Sequence, residues 1–249
     1  MANNLSSILK RRKTIKTTQK ITNAMKLVSI SKLQMYKVLY SNYLNILSVV
    51  DQIDSENIHD EREKLYVVFF PDMGLVSNFT KRLKQFIKHH QLTSLYVIGS
   101  KGIELFKHDA FNVINEPINS EHLDINRLIE ISEVYSELYN ICVVTPEFTN
   151  NDLVFKVMST QKVLKKKYDL LHEPHYETSN RAYQATLTKV QLVKAYYLSK
   201  ITEYTMRHIA MEKATESAEE MLQDLKLQYN RLRQESITAE ILDLTPEEY

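Results

Sequence analysis

Between Asn180 and Thr245 the chain contains neither glycine nor proline, and these are the residues that punctuate turns and end helices. An unbroken helix of about sixty residues is therefore permitted, roughly 90 Å long at 1.5 Å per residue. Stepping by seven through it gives Val190, Tyr197, Tyr204, Met211, Ala218, Leu225, Leu232 and Ala239, a column with no charged residue. The companion column, Leu187, Lys194, Ile201, His208, Thr215, Leu222, Tyr229 and Ser236, is mixed. A helix this long outruns an ordinary domain, and alone it would leave its stripe in water, so it requires a mate.

The first fifty residues supply one. Their heptad columns read Ile8, Ile15, Thr22, Ser29, Tyr36, Tyr43, Val50 and Leu5, Arg12, Gln19, Lys26, Leu33, Tyr40, Leu47. From Leu33 onward large residues alternate at spacings of three and four, the seam of a coiled coil. Before it, in "ITNAMKLVSISK" (21 to 32), the inward positions are small, polar or cationic. One helix thus promises a tight grip in its later half and a weak seam in its earlier half. Charge is divided as well: residues 1–50 hold nine Lys or Arg and no acid, while residues 216–249 hold nine acids against Lys226, Arg231 and Arg233. An antiparallel pair would set the basic beginning beside the acid-rich end, and charge separated in this way faces an opposite charge in the chain or on a partner.

After a charged connector, "DQIDSENIHDEREK" (51 to 64), the period changes. "LYVVFF" (65 to 70), "SLYVIG" (94 to 99) and "NICVV" (140 to 144) are short apolar runs suited to strands buried on both faces. Amphipathic helices are expected at Asn78 to His90 and at His122 to Tyr139, the second with Leu128, Ile131, Tyr135 and Leu138 inward. "LVFKVMSTQKVLK" (153 to 165) alternates like one further edge strand, and Ser179 or Asn180 is placed to cap the last helix. The expected class is α+β overall: a long antiparallel coiled coil of the N- and C-terminal helices plus a small α/β, Rossmann-like central domain. The expected division is 1–54, 55–178 and 179–249.

Chemistry of its own is poorly supported. Neither "PDMGLVSN" nor "GSKG" has the glycine spacing that wraps a phosphate, and no nucleophile elbow is present. His89 and His90 are adjacent and so diverge on a helix, while His172 and His175 lack a cluster to complete a metal shell. The basic N-terminal stretch has no aromatic before Tyr36, which argues against single-strand nucleic-acid binding. The lone Cys142 lies in an apolar run and has no partner for a disulfide, which fits a reducing compartment. No stretch is apolar for eighteen residues, and no signal-like apolar core follows Lys10 to Lys13, so a soluble intracellular protein without a cofactor is expected.

Read together, the two ends resemble the gamma subunit of F-type ATP synthases, the central rotor shaft. The N-terminal likeness is "ILKRRKTIKTTQKITNAMKLVSISKL"; the C-terminal one is "RHIAMEKATESAEEMLQDLKLQYNRLRQESITAEILDL". Between them "DMGL", "IGSKGIELFK" and "HEP" continue the match more thinly. The resemblance implies a non-catalytic subunit whose coil turns inside an alpha3-beta3 hexamer, with Met25, Lys26, Arg233, Gln234, Thr238 and Glu240 facing that hexamer. It implies a foot, here Asp72, Gly74 and Lys101, that meets an epsilon-type subunit and a membrane ring or another partner, and a cytoplasmic location peripheral to the cell membrane. Small and polar tip residues would let the shaft slide within its sleeve.

The departures lie at the foot and the tail. Ser77 and Asn78 replace the family's glycine pair, Met73 stands where arginine is usual, and the last residues are "LTPEEY". These changes resemble a divergent paralogue of the mycoplasma type, whose shaft need not drive a proton ring. Against the rotor stand a static coiled-coil scaffold and a nucleotide-binding enzyme.

Overall fold

The computed structural model describes residues 2–57, 61–106, 111–120, 123–149, 152–165 and 175–244. The chain divides into two compact units, residues 1–31 with 207–249 and residues 32–206. Two helices contribute to both: α1 (Ala2–Asp51) and α5 (Tyr176–Leu244).

In the first unit α1 and α5 run antiparallel. The hydroxyls of Thr215 and Thr22 lie 2.9 Å apart, and Lys26 reaches Glu212 at 2.7 Å, so the partner's number falls as the first rises. Both heptad columns of α1 face inward: Leu5, Ile8, Arg12, Ile15, Gln19 and Lys26 are half-buried, and Thr22 and Ser29 are buried. Opposite them Met211, Ala218 and Leu225 are buried, with Leu232 and Ala239 half-buried. Ser29 turns its hydroxyl onto the Met25 carbonyl at 2.7 Å, and Thr215 onto Met211 at 2.8 Å. These back-bonds satisfy the hydroxyls without help from the other helix. Lys10, Arg11, Lys13, Lys16 and Lys20 remain exposed, so most of the basic run is left on the surface.

The second unit is a three-layer α/β sandwich gripped by the other halves of the two helices. Its sheet has the order β4-β3-β2-β5-β6. β2 (Lys64–Phe69), β3 (Ser94–Ile98), β4 (Asn112–Val113) and β5 (Asn140–Thr149) are parallel, and β6 (Asp152–Ser159) returns antiparallel at the edge. Side chains alternate across β2 as a doubly buried strand requires. Leu65, Val67 and Phe69 pack toward α4 (Ile125–Tyr135) and α5, while Val68 and Phe70 pack toward α2 (Ser77–His89) and α3 (Ser100–Phe106). α1 lies over α5 through tyrosines: Tyr36 stacks on Tyr204 at 5.6 Å and meets Tyr196 edge-on at 6.2 Å, and Tyr43 meets Tyr197 at 5.7 Å. Leu47 and Val50 close the seam against Tyr183, Leu187 and Val190.

Three local expectations need correction. The run 153 to 165 is not one strand. At Thr160 the hydroxyl donates to the Ile141 carbonyl at 2.8 Å, which ends β6, and β7 (Lys162–Leu164) pairs instead with β1 (Ser55–Asn57). Neither Ser179 nor Asn180 caps α5, which already starts at Tyr176; the Asn180 side chain accepts the Leu164 N–H at 3.0 Å. Leu138 does not point inward, because α4 ends at Tyr135 and Leu138 is left 67% exposed. The "GSKG" spacing belongs to the short helix α3. Gly99 sits at φ 111°, where an added Cβ would meet the Phe70 carbonyl oxygen at 2.0 Å, and one on Gly102 would meet Val97 and the Phe70 ring near 2.5 Å. The two glycines let α3 lie against the sheet. His172 and the end of the tail, residues 245–249, lie outside the described residues.

Candidate functional site

The anticipated hexamer-facing residues all fall in the first unit, and they differ in what surrounds them. Lys26 spans the coil to Glu212, whose carboxyl is held below its usual range first by the hydrogen bond from Lys26 and then by its charge. Its ammonium therefore ties the two helices together. Met25 is half-buried. Arg233, Gln234, Thr238 and Glu240 are exposed on the last turns of α5. Thr238 donates to the Gln234 carbonyl at 2.9 Å, and Arg231 pairs with Glu235 at 3.0 Å along their own helix. Arg233 and Gln234 thus offer a guanidinium and an amide to solvent beside the Arg231–Glu235 pair. Such groups make and release hydrogen bonds to carboxylates.

The anticipated foot residues lie in the second unit, and Asp72 separates from the other two. Its carboxylate accepts the Ser100 N–H at 2.8 Å, the Ser100 hydroxyl at 3.0 Å and the Ser120 hydroxyl at 2.5 Å. Lys200, 2% exposed, donates to Ser120 at 2.8 Å and pairs with Glu203 at 3.2 Å, both side chains being 3% exposed. Burial opposes ionisation of Asp72. The hydroxyl and N–H donors, with the Lys200 charge, outweigh it and hold the carboxyl below its usual range.

This network lies at the carboxyl end of β2, the edge where open α/β sheets of this winding take their ligands. Here α5 fills that place with Tyr196, Ser199, Lys200 and Glu203, leaving a cavity of about 10 Å³. The position that would hold a nucleotide phosphate in an enzyme serves instead as the anchor between sheet and helix. Sequence reasoning missed Ser120, Lys200 and Glu203. The signal was a lysine and a glutamate three residues apart on the face of α5 that continues into apolar Tyr196 and Leu192.

Gly74 and Lys101 do come together. They line a cavity of about 610 Å³ between α2 and α3, with Met73, Thr80, Lys81, Lys84, Gln85, Lys88, Glu104 and Leu105. Lys101 pairs with Glu104 at 3.0 Å. Lys84 donates to the Leu105 carbonyl at 3.0 Å, its ammonium 5.7 Å from the centre of the Phe106 ring. No helix among the described residues is long and apolar enough to cross a membrane.

The family described as ATP synthase matches residues 4–245, almost the whole chain. This chain belongs to that family. The gamma chain of Mycoplasmopsis synoviae is 30% identical over 97% of this chain and 96% of its own length. That of Clostridium pasteurianum is 29% identical, covering 98% and 97%. Among solved structures, a chain in the rotor of the Euglena gracilis mitochondrial ATP synthase superposes with a TM-score of 0.73, covering 95% of this chain and all of that one at 13% identity. That likeness carries the fold: coil, sheet and connecting helices recur at a level of identity where few side chains do.

Proposed function

We propose that this gamma-family chain is the central rotor shaft of an F-type or F-type-like ATPase, non-catalytic itself, with its coil tip inside an alpha3-beta3 hexamer. One observation supports the reading above the others: the inward seam weakens toward the tip, while the outward surface there sets the cations Lys10, Arg11, Lys13, Lys16, Lys20 and Arg233 among separate apolar side chains such as Ile21, Leu27 and Leu227. Thr22 and Ser29 occupy the seam where Leu33, Tyr36, Leu47 and Val50 occupy it later. A tip that turns against successive neighbours needs contacts that break at little cost. A tip clamped to one neighbour would gain more from a broad apolar face.

In this reading Arg233, Gln234, Thr238 and Glu240 touch the hexamer, Met25 supports them, and Lys26 acts by holding the two helices in register. Gly74 and Lys101 form part of the foot, and Asp72 positions the loop that carries Gly74. The location follows from the assembly: peripheral to the membrane, through partners of the epsilon and ring kind. The static scaffold is the rival.

Rotation distinguishes them. Val134 is 61% exposed on α4, whereas Cys142 is buried, so Val134→Cys gives a single reactive thiol for attaching a gold rod. In the complex of this chain with its alpha and beta partners, ATP should drive the rod in one direction. A rod that stays still while the complex hydrolyses ATP would overturn the proposal. Arg233→Ala should lower the torque and leave the melting of the chain unchanged.

A further inference from the structure

We propose that the cavity at the carboxyl end of β2 binds a single water molecule, held by the Ser199 hydroxyl and the Lys200 ammonium. It is a hydration site inside the anchor between sheet and helix, and it stands independently of the rotor reading.

Two buried groups converge on this cavity with hydrogen bonds still to make. Ser199, 6% exposed, lines it together with Ser120, Lys200 and Glu203. Elsewhere on α5 hydroxyls turn back onto the carbonyl one turn earlier, as Thr188 does to Gln184 at 2.9 Å and Thr205 to Ile201 at 2.7 Å. Ser199 does not, and its hydroxyl has no partner among the described residues. A buried hydroxyl left in that condition is destabilising.

The second group is Lys200, whose ammonium carries three N–H donors. One goes to Ser120 at 2.8 Å and one to Glu203 at 3.2 Å. The third has no acceptor among the described residues, and at 2% exposure bulk solvent does not supply one. Ser120 gives its own proton to Asp72 at 2.5 Å. Burying an ion pair is favourable only where the remaining donors and acceptors are satisfied as well.

Size and charge select the occupant. The cavity of about 10 Å³ matches the room that one water needs, and a larger ligand finds none. Phe69, Phe70, Pro71, Phe79 and Tyr196 wall it, so polar contact comes from α5 and Ser120. A cation would face the Lys200 ammonium and an anion the Glu203 carboxylate. Water both accepts and donates: it takes the third N–H of Lys200, bonds the Ser199 hydroxyl and has a proton left for Glu203. That is within the range of about two to four partners that holds a buried water.

A crystal structure of the full chain, at a resolution where ordered water is seen, tests the site directly. One density peak is expected within hydrogen-bond reach of both Ser199 Oγ and Lys200 Nζ. A cavity without density overturns the proposal, and so does a peak that gains anomalous signal on bromide soaking, since it is then an anion. Urea titration gives a second test, because the two cases differ in sign. Removing a hydroxyl bonded to water is destabilising, whereas removing an unbonded buried hydroxyl is not. Alanine also favours the helix, so Ser199→Ala is read against Ser41→Ala, at an exposed serine within α1. Ser199→Ala should unfold at the lower urea concentration of the two. A midpoint equal to that of Ser41→Ala, or above it, overturns the proposal.

Discussion

Lys200 and Asp72 are the residues on which the second unit depends most for its geometry. Lys200 and Glu203 are both shut from solvent, so removing either takes an ion-pair contact from a charge that stays buried. Lys200→Met should cost about 3–5 kcal/mol of unfolding free energy in urea titration, and adding Glu203→Gln should recover more than half of it. Asp72 ties the same cluster to pH. Its folded carboxyl titrates below its unfolded value, so its contribution is complete above the ordinary carboxylate range and fades as pH falls through the folded value. Melting curves taken from pH 6 down to pH 2 should show wild type keeping its advantage over Asp72→Asn down to the ordinary carboxylate range and losing it below. An unchanged gap between the two would remove Asp72 from the account. None of this cluster was legible as a unit, because Asp72, Ser100, Ser120 and Lys200 are far apart in the chain and meet through the sheet's topology.

At the scale of elements, the gradient in the coil predicts a gradient in substitution cost. Leu47 is 3% exposed and packed among Tyr183, Leu187 and Val190, so Leu47→Ala should cost about 2–5 kcal/mol. Ile8 is only half-buried, and Ile8→Ala should cost less than about 1 kcal/mol. Denaturant titration of each variant checks both. Equal costs would mean that the seam does not weaken toward the tip. Filling Thr22 and Ser29 with leucine should not help, since overpacking a close seam costs about 1–3 kcal/mol. The long helices were plain in the sequence because their signal repeats: every position of the two α1 columns beyond Lys26 or Ser29 is buried or half-buried here. The three parallel strands with long apolar runs were equally visible. β1 and β4 were not, at three and two residues, and α3 was hidden because seven residues offer too little periodicity.

For the molecule as a whole, protection against amide exchange should follow the buried layers. β2, β3, β5 and residues 187–204 of α5 contain most of the fully buried side chains, and their amides should exchange last. The helical residues 5–20 and 232–242, half-buried at best, should exchange first. Exchange of both sets at one common rate would contradict the division into units. Among the positions proposed to face the hexamer, the sequence could not tell a lysine that braces the coil, as Lys26 does, from an arginine held out to solvent, as Arg233 is. That distinction depends on which residue lies across the coil.

The interlocked seams have one more consequence, for how such a chain changes over time. Adding one residue within α1 or α5 would rotate everything beyond it by about 100°, one residue's share of a 3.6-residue turn, and carry a heptad column out of the interface. Insertions and deletions in these helices are therefore tolerated chiefly in whole heptads or in compensating pairs, whereas the turns of the sheet domain accept any number. Length differences among relatives should accumulate between residues 52 and 175, and the two helices should keep their count.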